Sequence, residues 1–555
     1  MPYKSRWTID IPDTHLASLL LQSPTAPLSK AHRCYVEAAR PETHYLTTHD
    51  LRLWSQRLAA GLRKSGLQTG DRVLLFSGND LFFPVVFMGV IMAGGIFTGA
   101  NPTYVARELA YQLQDSDATY LLCASNSLET GLEAAKQANL PHTRIFAFDN
   151  SIYDGITSSP QGCAYWGDLL ASEEEGRAFS WDELNTPTLS SRTLALNYSS
   201  GTTGRPKGVE ISHKNYVANM LQYCHTASLH PDYKARLERS RWLCFLPMYH
   251  AMAQNIFIAA ALYRATPVYL MPKFDFIKML EYTQKFRITD LILVPPVVVA
   301  LAKHPAVKNY DLSSVELIGS GAAPLGREVC EEVEKLWPLG KINIKQGWGM
   351  TEATCSVTGW VPTEISTSAS VGELNANCEA KIMVDGKEVE RNSRGELWIR
   401  APNVMKGYWR NEKATKETKT EDGWLLTGDI AFVDDHDKFH VVDRMKELIK
   451  VKGNQVAPAE LEALLLEHPA ISDVAVIGVV SNNDERPRAY VVLTPGQSAT
   501  AKEIAHFIDN KVSAFKRITG GVVFLNAIPK NPSGKILRVK LREQAKAELK
   551  PVAKL

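Results

Sequence analysis

Short apolar runs typical of β-strands alternate with helical patterns through much of the chain. From Thr48, apolar residues recur at the spacing of an amphipathic helix, and the apolar run at 72–77 that follows has the character of a strand. Further runs of the same character precede a turn or a helix at 120–124, 144–148 and 291–294. This alternation predicts layered α/β structure with largely parallel strands.

The pattern changes twice toward the C-terminus. After Val371, short strand-like runs joined by turns predict a small β-rich section. From about Lys446, helical and strand patterns alternate over a short region, at 459–466, 474–480, 489–493 and 502–515. We therefore predict a large α/β domain of several subdomains over residues 1–445 and a small, mobile α+β domain over residues 446–555.

Composition excludes several classes of protein. The chain has 555 residues, of which 45% are hydrophobic, and 62 Lys and Arg against 60 Asp and Glu leave a net charge of +2. A nucleic-acid-binding protein needs a clustered basic excess, so we expect no nucleic-acid partner. The eight cysteines contain no C-x-x-C pair, which argues against a zinc ribbon or a redox dithiol. The N-terminal sequence MPYKSRWTIDIPD lacks the apolar core of a secretory signal.

One uncharged stretch, at 81–100, is long enough to suggest a membrane span. It contains Pro84 and four glycines, and Asn101-Pro102 follows it. These breakers predict a short buried helix packed on a sheet, followed by a turn. We expect no transmembrane segment.

The segment 198–208, YSSGTTGRPKG, is the strongest local signal. It follows the apolar run 194–198, which is typical of a strand. Small residues let backbone N–H groups approach a ligand closely, the Ser and Thr hydroxyls donate further hydrogen bonds, and Lys207 supplies charge, so the segment indicates phosphate binding. It is not a Walker loop, because no Lys-Ser/Thr pair follows its last glycine. A flexible surface loop without a ligand is the alternative.

This segment closely resembles the signature of the acyl-adenylate-forming superfamily, which includes acyl-CoA synthetases, luciferases and nonribosomal adenylation domains. Four further motifs follow in the family's order: QGWGMTE at 346–352, TGD at 427–429, DRMKELIKVKG at 443–453 and PKNPSGK at 529–535. VPP at 294–296, SGAAPLG at 320–326 and KGNQVAPAELE at 452–462 are most similar to the branch of 4-coumarate:CoA ligase and firefly luciferase. The resemblance implies an AMP-forming acyl-CoA ligase, in which ATP and Mg²⁺ activate a carboxylic acid as acyl-AMP before transfer to CoA.

By this resemblance, the nucleotide would be held by several groups of residues. Those that would cradle the β- and γ-phosphates are Ser199, Ser200, Gly201, Thr202, Thr203 and Lys207. Further contacts with ATP or AMP would come from Gln346, Gly347 and Thr351. Asp429, assisted by Arg444, would accept the ribose hydroxyls. Glu352 and Thr202 would hold Mg²⁺, a hard cation that prefers oxygen ligands.

The resemblance also implies roles in the two chemical steps. Lys535 would bridge the acid carboxylate and the α-phosphate, where a flexible point charge suits the charge that develops between two anions. Lys446 matches the hinge about which the small domain rotates after adenylation. In the second step, Lys450 and Gln455 would face the acyl-adenylate. The residues that would contact CoA are Lys273, Lys452 and Gly453.

The acid pocket is implied to lie around His250, which would gate or orient the carboxylate. Its lining would consist of His250, Met252, Ile256, Ala323, Gly347 and Trp348. Met252 and Ile256 fall where plant coumarate ligases place Tyr and Ser, so two partners for a phenolic substituent are lost. We therefore expect an apolar acid, either an aryl-alkanoic or a medium-chain fatty acid, and methionine adapts to both.

Other functions stay open at this point. The chain could be an acyl-AMP ligase that loads the phosphopantetheine of a carrier protein, a luciferase-type oxygenase, or a nucleotide-binding sensor without catalysis. Its last residues, Ala553-Lys554-Leu555, resemble the peroxisomal C-terminal signal with Ala in place of Ser. We accordingly expect the peroxisomal import receptor as a partner and the peroxisomal matrix as the location, with the cytoplasm as the alternative.

Overall fold

The computed structural model describes residues 2–23, 26–156, 162–199, 205–451, 454–481, 484–509, 511–531 and 534–549. The helices are α1 Leu16–Leu21, α2 Thr48–Lys64, α3 Phe83–Met92, α4 Ala106–Ser116, α5 Leu128–Gln137, α6 Glu173–Ala178, α7 Pro187–Ser190, α8 His213–Ser228, α9 Tyr233–Arg239, α10 Ala251–Ala253, α11 Ala261–Tyr263, α12 Phe276–Phe286, α13 Pro295–Lys303, α14 Arg327–Glu334, α15 Glu412–Thr418, α16 Pro458–Leu466, α17 Ala501–Asp509 and α18 Arg538–Glu548. A π-helical segment, Gln254–Ala260, joins α10 to α11.

The strands are β1 Tyr3–Lys4, β2 Arg33–Glu37, β3 Tyr45–Thr47, β4 Arg72–Phe76, β5 Ile96–Ala100, β6 Ala118–Ala124, β7 Ile145–Phe148, β8 Ala164–Tyr165, β9 Thr193–Ser199, β10 Lys207–Ser212, β11 Trp242–Cys244, β12 Val268–Leu270, β13 Asp290–Leu293, β14 Leu317–Ser320, β15 Lys345–Gln346, β16 Thr358–Gly359, β17 Glu373–Leu374, β18 Glu379–Val384, β19 Lys387–Glu388, β20 Gly395–Arg400, β21 Gly407–Tyr408, β22 Leu425–Val433, β23 Phe439–Arg444, β24 Ile449–Val451, β25 Asn454–Val456, β26 Ile471–Ser481, β27 Asp484–Leu493 and β28 Val522–Phe524.

An eight-stranded sheet carries the segment with the phosphate-binding signature. Its order is β21-β10-β9-β5-β4-β6-β7-β8, and the strands from β9 to β8 run parallel. The strands predicted at 72–77, 120–124, 144–148 and 194–198 correspond to β4, β6, β7 and β9. Their nearly continuous apolar character follows from burial on both faces, and every residue of β4 is buried.

The uncharged stretch 81–100 forms a helix and then a strand. Helix α3 is buried along its whole length, as expected, but the turn expected after it was wrong for Ile96–Ala100, which is β5 in the middle of the sheet. The chain reverses earlier, at Gly94, where φ is +72°. Position 99 of β5 is a glycine because a methyl group there would lie only 2.9 Å from Cβ of Tyr249. Among the described helices, none is long and apolar enough to cross a membrane.

A seven-stranded sheet positions the acid-pocket motifs. Its order is β15-β14-β13-β11-β12-β2-β3, parallel except for the pair of β2 and β3. The carboxyl ends of neighbouring parallel strands meet at one edge of a sheet, which is where ligands bind in open α/β folds. Val294, Gly321 and Gly347 follow β13, β14 and β15, so these three motifs lie together.

The predicted β-rich section is an antiparallel sheet of the order β1-β18-β20-β22-β23, with β19 beside β18. Strands β22 and β23 carry two of the sequence motifs. Asp429 and Arg444 are direct partners across this pair. The register of the sheet, rather than a loop, therefore places the two residues side by side.

The C-terminal region has its own sheet, β26-β27-β28, and its own buried cluster, which includes Ile449, Leu461, Val476 and Ile504. Helix α16 agrees with the helix predicted at 459–466. The helix predicted at 502–515 is shorter than expected, because α17 ends at Asp509 and a 3₁₀ turn follows at Ala514–Lys516. The backbone of Ser513 is extended, with φ −61° and ψ 152°, which prevents a continuous helix.

Candidate active site

The predicted phosphate loop connects two neighbouring strands of the eight-stranded sheet. Ser199 ends β9, Lys207 begins β10, and the two residues are partners in the antiparallel ladder. The loop residues Ser200, Gly201, Thr202 and Thr203 lie outside the described residues. The sheet thus holds the two ends of the loop together, with Lys207 at its rim.

Tyr408 of β21 links Lys207 to Glu352. The Lys207 ammonium lies 4.6 Å from the centroid of the Tyr408 ring. The Tyr408 hydroxyl donates a hydrogen bond to Oε1 of Glu352 at 2.9 Å. Burial and the nearby Glu352 carboxylate raise the pKa of Tyr408, so its hydroxyl remains a donor. Sequence reasoning missed Tyr408, because it belongs to none of the motifs.

Asp429, the predicted ribose ligand, forms one ion pair and accepts one hydrogen bond. Nε of Arg444 lies 3.2 Å from its Oδ1, and the indole N–H of Trp348 donates to its Oδ2 at 2.8 Å. Asp429 is 4% exposed, and burial raises the pKa of its carboxyl group, while Arg444 and Trp348 act in the opposite direction. The bond from Trp348 was not expected, since the sequence assigned that residue to the acid pocket.

The loop before α18 brings Lys535 to the large domain. Its backbone N–H donates to Oδ1 of Asn531 at 2.9 Å, which folds the loop back on itself. Gly534 has a φ of +81°, and a methyl group added there would lie 3.2 Å from Cγ2 of Val294. A side chain at position 534 would therefore disturb both the backbone and the contact with the large domain.

The electrostatic surroundings of Lys535 join it to the residues of the other motifs. Burial and the positive charge of Arg444 lower the pKa of Lys535 to about 8. The carboxylates of Asp429 and Glu352, and that of Glu447, act in the opposite direction. The structure thus places the predicted lysine within electrostatic range of the ribose ligand and the predicted metal ligand.

The same ammonium acts electrostatically on His250. Burial and the positive charge of Lys535 lower the pKa of His250 to about 4, so the imidazole is neutral at neutral pH. Its ring centroid lies 4.5 Å from that of Tyr249. Nε2 of His250 is buried without a hydrogen-bond partner among the described residues. A buried ring nitrogen of this kind is available to a ligand.

The predicted lining of the acid pocket converges at the carboxyl ends of β14 and β15. A methyl group added at Gly321 would lie 3.6 Å from Sδ of Met252 and 3.8 Å from the carbonyl oxygen of Gly347. Ile256 is 5% exposed and belongs to the π-helical segment, a geometry that is frequent at functional sites. Ala323 is partly exposed in the segment after β14. Gly321 therefore extends the predicted set.

Gln346 and Thr351 shape the backbone around the site. The Gln346 side chain accepts from the N–H of Leu325 at 3.0 Å and donates to its carbonyl oxygen at 2.9 Å. Both ends of the amide are thus used within the protein. Thr351 begins the 3₁₀ turn Thr351–Ala353, which carries Glu352. Nucleotide contacts by Gln346 and Thr351 stay predictions.

The residues expected to act in the second step lie elsewhere in this arrangement. Lys446 is exposed in the turn between β23 and β24. Lys450 and Gln455 are partners in the β24–β25 hairpin, and both are exposed. Lys273 is exposed in the segment after β12. Lys452 and Gly453 lie outside the described residues, as do Ala553, Lys554 and Leu555.

Comparison with known proteins identifies this arrangement. Residues 27–409 match the family model of the AMP-binding enzyme, and residues 460–535 match that of the AMP-binding enzyme C-terminal domain. The 4-coumarate--CoA ligase 1 of Petroselinum crispum is 39% identical over 518 residues, which cover 92% of this chain and 90% of that protein. The 4-coumarate--CoA ligase 2 of Nicotiana tabacum is 38% identical over 525 residues, which cover 93% and 92%.

A solved structure shows the same fold. ATP-bound MatB from Rhodopseudomonas palustris superimposes with a TM-score of 0.80 at 27% identity, covering 96% of this chain and 99% of that chain. These comparisons confirm the predicted fold class, a large adenylating α/β domain followed by a small α+β domain. They also confirm the enzyme class expected from the order of the motifs, an AMP-forming acid–thiol ligase. The chain belongs to the AMP-binding enzyme family.

Proposed function

We propose that the chain is an acyl-CoA ligase that uses ATP and Mg²⁺ to convert a carboxylic acid to acyl-AMP and then transfers the acyl group to CoA. The observation that carries the proposal is the partly buried Lys535, whose loop contacts Val294 of the large domain and whose ammonium interacts electrostatically with Asp429, Glu352 and neutral His250. The likeness to two proteins named 4-coumarate--CoA ligase, over 92% and 93% of this chain, supports it.

In the first step, a carboxylate oxygen attacks the α-phosphorus of ATP and pyrophosphate leaves. Both reactants are anions, so the transition state needs positive charge placed between them. Lys535 supplies that charge, because with a pKa of about 8 it is mostly protonated at neutral pH. Arg444 supplies a second cation beside the ribose ligand Asp429, and Lys207 a third at the rim of the phosphate loop.

Glu352 fits the requirements of a magnesium ligand. Mg²⁺ would neutralise phosphate charge there; it is usually held by one or two carboxylates together with substrate phosphates and several waters. Glu352 is 7% exposed and its Oε1 is oriented by the Tyr408 hydroxyl. Among the described residues, no group of three or more His, Cys, Asp or Glu side chains could hold a metal. A site built on one carboxylate and the nucleotide suits this chain, and Thr202 would add a hydroxyl.

In the second step, the sulfur of CoA attacks the acyl carbon, the thiol proton is lost and AMP leaves. Rotation of the small domain about Lys446 would bring the β24–β25 hairpin to the acyl-adenylate. Lys450 and Gln455, which are exposed partners on that hairpin, would then face the acyl-adenylate and the incoming CoA. The contacts with CoA would come from Lys273, Lys452 and Gly453.

The acid pocket favours an apolar substrate. Met252 and Ile256 present a thioether and a hydrocarbon where plant coumarate ligases present two hydroxyl groups. A phenolic hydroxyl would lack a hydrogen-bond partner in such a pocket, whereas an aryl-alkanoic or medium-chain fatty acid brings no such group. The unbranched thioether side chain of Met252 adapts to either shape.

An assay with a panel of carboxylic acids tests the function. We expect pyrophosphate release to require ATP, Mg²⁺ and the acid but no CoA, and acyl-CoA to form only when CoA is added. Thioester formation on an added carrier protein, with none on CoA, would instead establish an acyl-AMP ligase. Binding of ATP without turnover of any acid would establish a nucleotide sensor.

The substrate class has its own test in the paired variant Met252→Tyr, Ile256→Ser. The panel contains aryl-alkanoic, medium-chain and hydroxycinnamic acids. We expect the wild-type protein to prefer the first two groups and the paired variant to shift kcat/KM toward hydroxycinnamic acids by about tenfold, the gain from one or two hydrogen bonds. A wild-type preference for hydroxycinnamic acids would contradict the assignment.

We also propose that the protein enters peroxisomes through Ala553-Lys554-Leu555. The proposal is supported by the likeness of this tripeptide to the import signal. Import of the tagged protein should be lost when the three residues are deleted. Import that persists after the deletion would contradict the proposal.

A further inference from the structure

Helix α13 of the large domain touches the small domain at both of its ends. Before its first turn, Val294 lies against the loop that carries Lys535, since a methyl group added at Gly534 would lie 3.2 Å from Cγ2 of Val294. At the other end, Lys303 is the last residue of α13. The helix has nine residues and is therefore about 13 Å long. One rigid element thus joins the loop of Lys535 to a second contact with the small domain.

The second contact is made by the ammonium of Lys303. It donates to the carbonyl oxygens of Leu466 at 2.7 Å and of His468 at 3.3 Å, and also to that of Ile471. Leu466 is the last residue of α16, His468 lies in the connection that follows, and Ile471 is the first residue of β26. A lysine ammonium has three N–H donors, and here each of them has a backbone acceptor of the other domain.

The surroundings strengthen this contact. The last carbonyl groups of a helix lack partners within the helix and carry partial negative charge, so they attract a cation. Burial lowers the pKa of the Lys303 ammonium. A partly buried ammonium without its three acceptors would be costly, so the contact depends on the exact placement of α16.

Two other contacts fix the same helix. The N–H of Ala459, in the first turn of α16, donates to Oδ2 of Asp443 at 3.0 Å. A methyl group added at Gly326, just before α14, would lie 3.4 Å from Cβ of Ala463. Helix α16 is therefore held at its beginning by Asp443, near its middle by the close approach to Gly326, and at its end by Lys303.

We propose that Lys303 is a positioning residue for adenylation, which holds the small domain in the arrangement that places Lys535 beside Asp429. This rests on the proposed function, in which the small domain turns about Lys446 between the two half-reactions. The turn must break all three bonds of Lys303. Lys303 therefore favours the adenylation arrangement over the second one, and it acts through Lys535 rather than on the reacting atoms.

The half-reactions of Lys303→Met test this role. Methionine keeps an unbranched side chain and removes the three donors. We expect pyrophosphate release without CoA to slow by about tenfold, since the loss of a charge-assisted hydrogen bond changes an equilibrium by about that factor or more. Formation of acyl-CoA from preformed acyl-AMP should stay within about twofold of wild type or rise, because the second arrangement does not use these bonds.

Two further variants serve as controls. Lys303→Arg keeps the charge and several donors, so its adenylation rate should lie closer to wild type than that of Lys303→Met. Lys308→Met removes an exposed lysine on the segment after α13 and should leave both half-reactions unchanged. If Lys303→Met does not fold, Lys303→Gln should show the same split between the half-reactions at a smaller size.

A second readout does not depend on catalysis. The Cβ atoms in Gly326→Cys and Ala463→Cys would lie about 3.4 Å apart, close to the 3.5–4.5 Å range of disulfides. We expect this pair to form a disulfide on mild oxidation, and Lys303→Met in the same background to slow its formation about tenfold. The measurement remains valid if no acid is turned over, so failure of this inference and failure of the proposed function can be told apart.

Two results would overturn the role of Lys303. If both half-reactions of Lys303→Met fell equally while the disulfide formed at the wild-type rate, the residue would support the fold rather than the arrangement. If Lys303→Met changed neither the rates of the two half-reactions nor the rate of disulfide formation, the arrangement of the domains would not depend on Lys303.

Discussion

Replacement of Trp348 by Phe should weaken ATP binding by about tenfold. The indole N–H donates to Oδ2 of Asp429 at 2.8 Å, and the two residues are 8% and 4% exposed. A hydrogen bond to a charged group contributes about 1.5–3 kcal/mol net. Part of that loss is offset because a water molecule or a ribose hydroxyl can donate a hydrogen bond to Oδ2 of Asp429 instead. A remaining loss of about 1.4 kcal/mol corresponds to a tenfold higher Kd.

The same substitution should shift the pH dependence of ATP binding. Burial raises the pKa of Asp429, and the bond from Trp348 lowers it, so loss of the bond raises that pKa further. The ribose hydroxyls donate to the ionised carboxylate. As the pH falls, Trp348→Phe should therefore lose affinity for ATP at a higher pH than the wild-type protein does.

Titration of ATP in the absence of acid and CoA, followed by calorimetry at several pH values, measures both effects. Trp360→Phe is the matched control, because the indole nitrogen of Trp360 is buried with no hydrogen-bond partner among the described residues. Trp360→Phe therefore removes an indole N–H without breaking a hydrogen bond to the described residues. A Kd of Trp348→Phe within twofold of wild type, or an acid limb that coincides with that of the wild type, would refute the reasoning.

Three other variants have defined outcomes. Lys535→Ala should slow pyrophosphate release by at least about 100-fold and leave acyl-CoA formation from preformed acyl-AMP within about threefold; equal losses would contradict its role. Tyr408→Phe removes the donor to Glu352 and should raise the Mg²⁺ concentration for half-maximal adenylation by about tenfold; an unchanged titration would exclude this. Burial lowers the pKa of His15 from 6.5 to about 4, so stability falls as the pH drops through this window, by about 1.4 kcal/mol per pH unit. His15 caps α1, where its Nδ1 accepts from the N–H of Ala17 at 3.0 Å. His15→Asn keeps a capping side chain, and the stability measured by urea unfolding should then change less between about pH 5 and pH 6, by that amount per pH unit.

The strands of the parallel sheets were predictable because a strand covered on both faces has an apolar sequence. Strand β5 was not, since Gly94, Gly95 and Gly99 suggest a turn when only neighbours in sequence are considered. The reason for Gly99 is the close approach of Tyr249, a contact between distant parts of the chain. Periodicity thus predicts elements whose surroundings are uniform and fails where one tertiary contact determines the residue.

The same distinction applies to the site. The motifs predicted the cations and carboxylates that the structure brings together, because each motif is a local sequence pattern. They could not supply the bond from Tyr408 to Glu352 or that from Trp348 to Asp429, which join different motifs or reach outside them. Lys303 has no sequence signal, since its acceptors are backbone carbonyl groups, and any residue can provide those.

The junction between the two domains explains how so few contacts can matter. Each domain has its own buried core, and between them lies a small apolar cluster of Ile430, Leu448 and Ala457. Domains that share little apolar surface are expected to move relative to each other. At about 1 kcal/mol net for each hydrogen bond, a few polar contacts decide which arrangement is favoured.

The direction of the proposed cycle then follows from charge. Burial of the Lys535 ammonium opposes the adenylation arrangement, as the lowered pKa of Lys535 shows, and the phosphates of ATP would offset that cost. The first step removes pyrophosphate, and with it most of the negative charge that favours a buried ammonium. The three hydrogen bonds of Lys303 do not change during the first step, so they add a constant free-energy cost to the turn of the small domain that follows. The anion that stabilises the first arrangement is therefore consumed by the reaction that the arrangement permits.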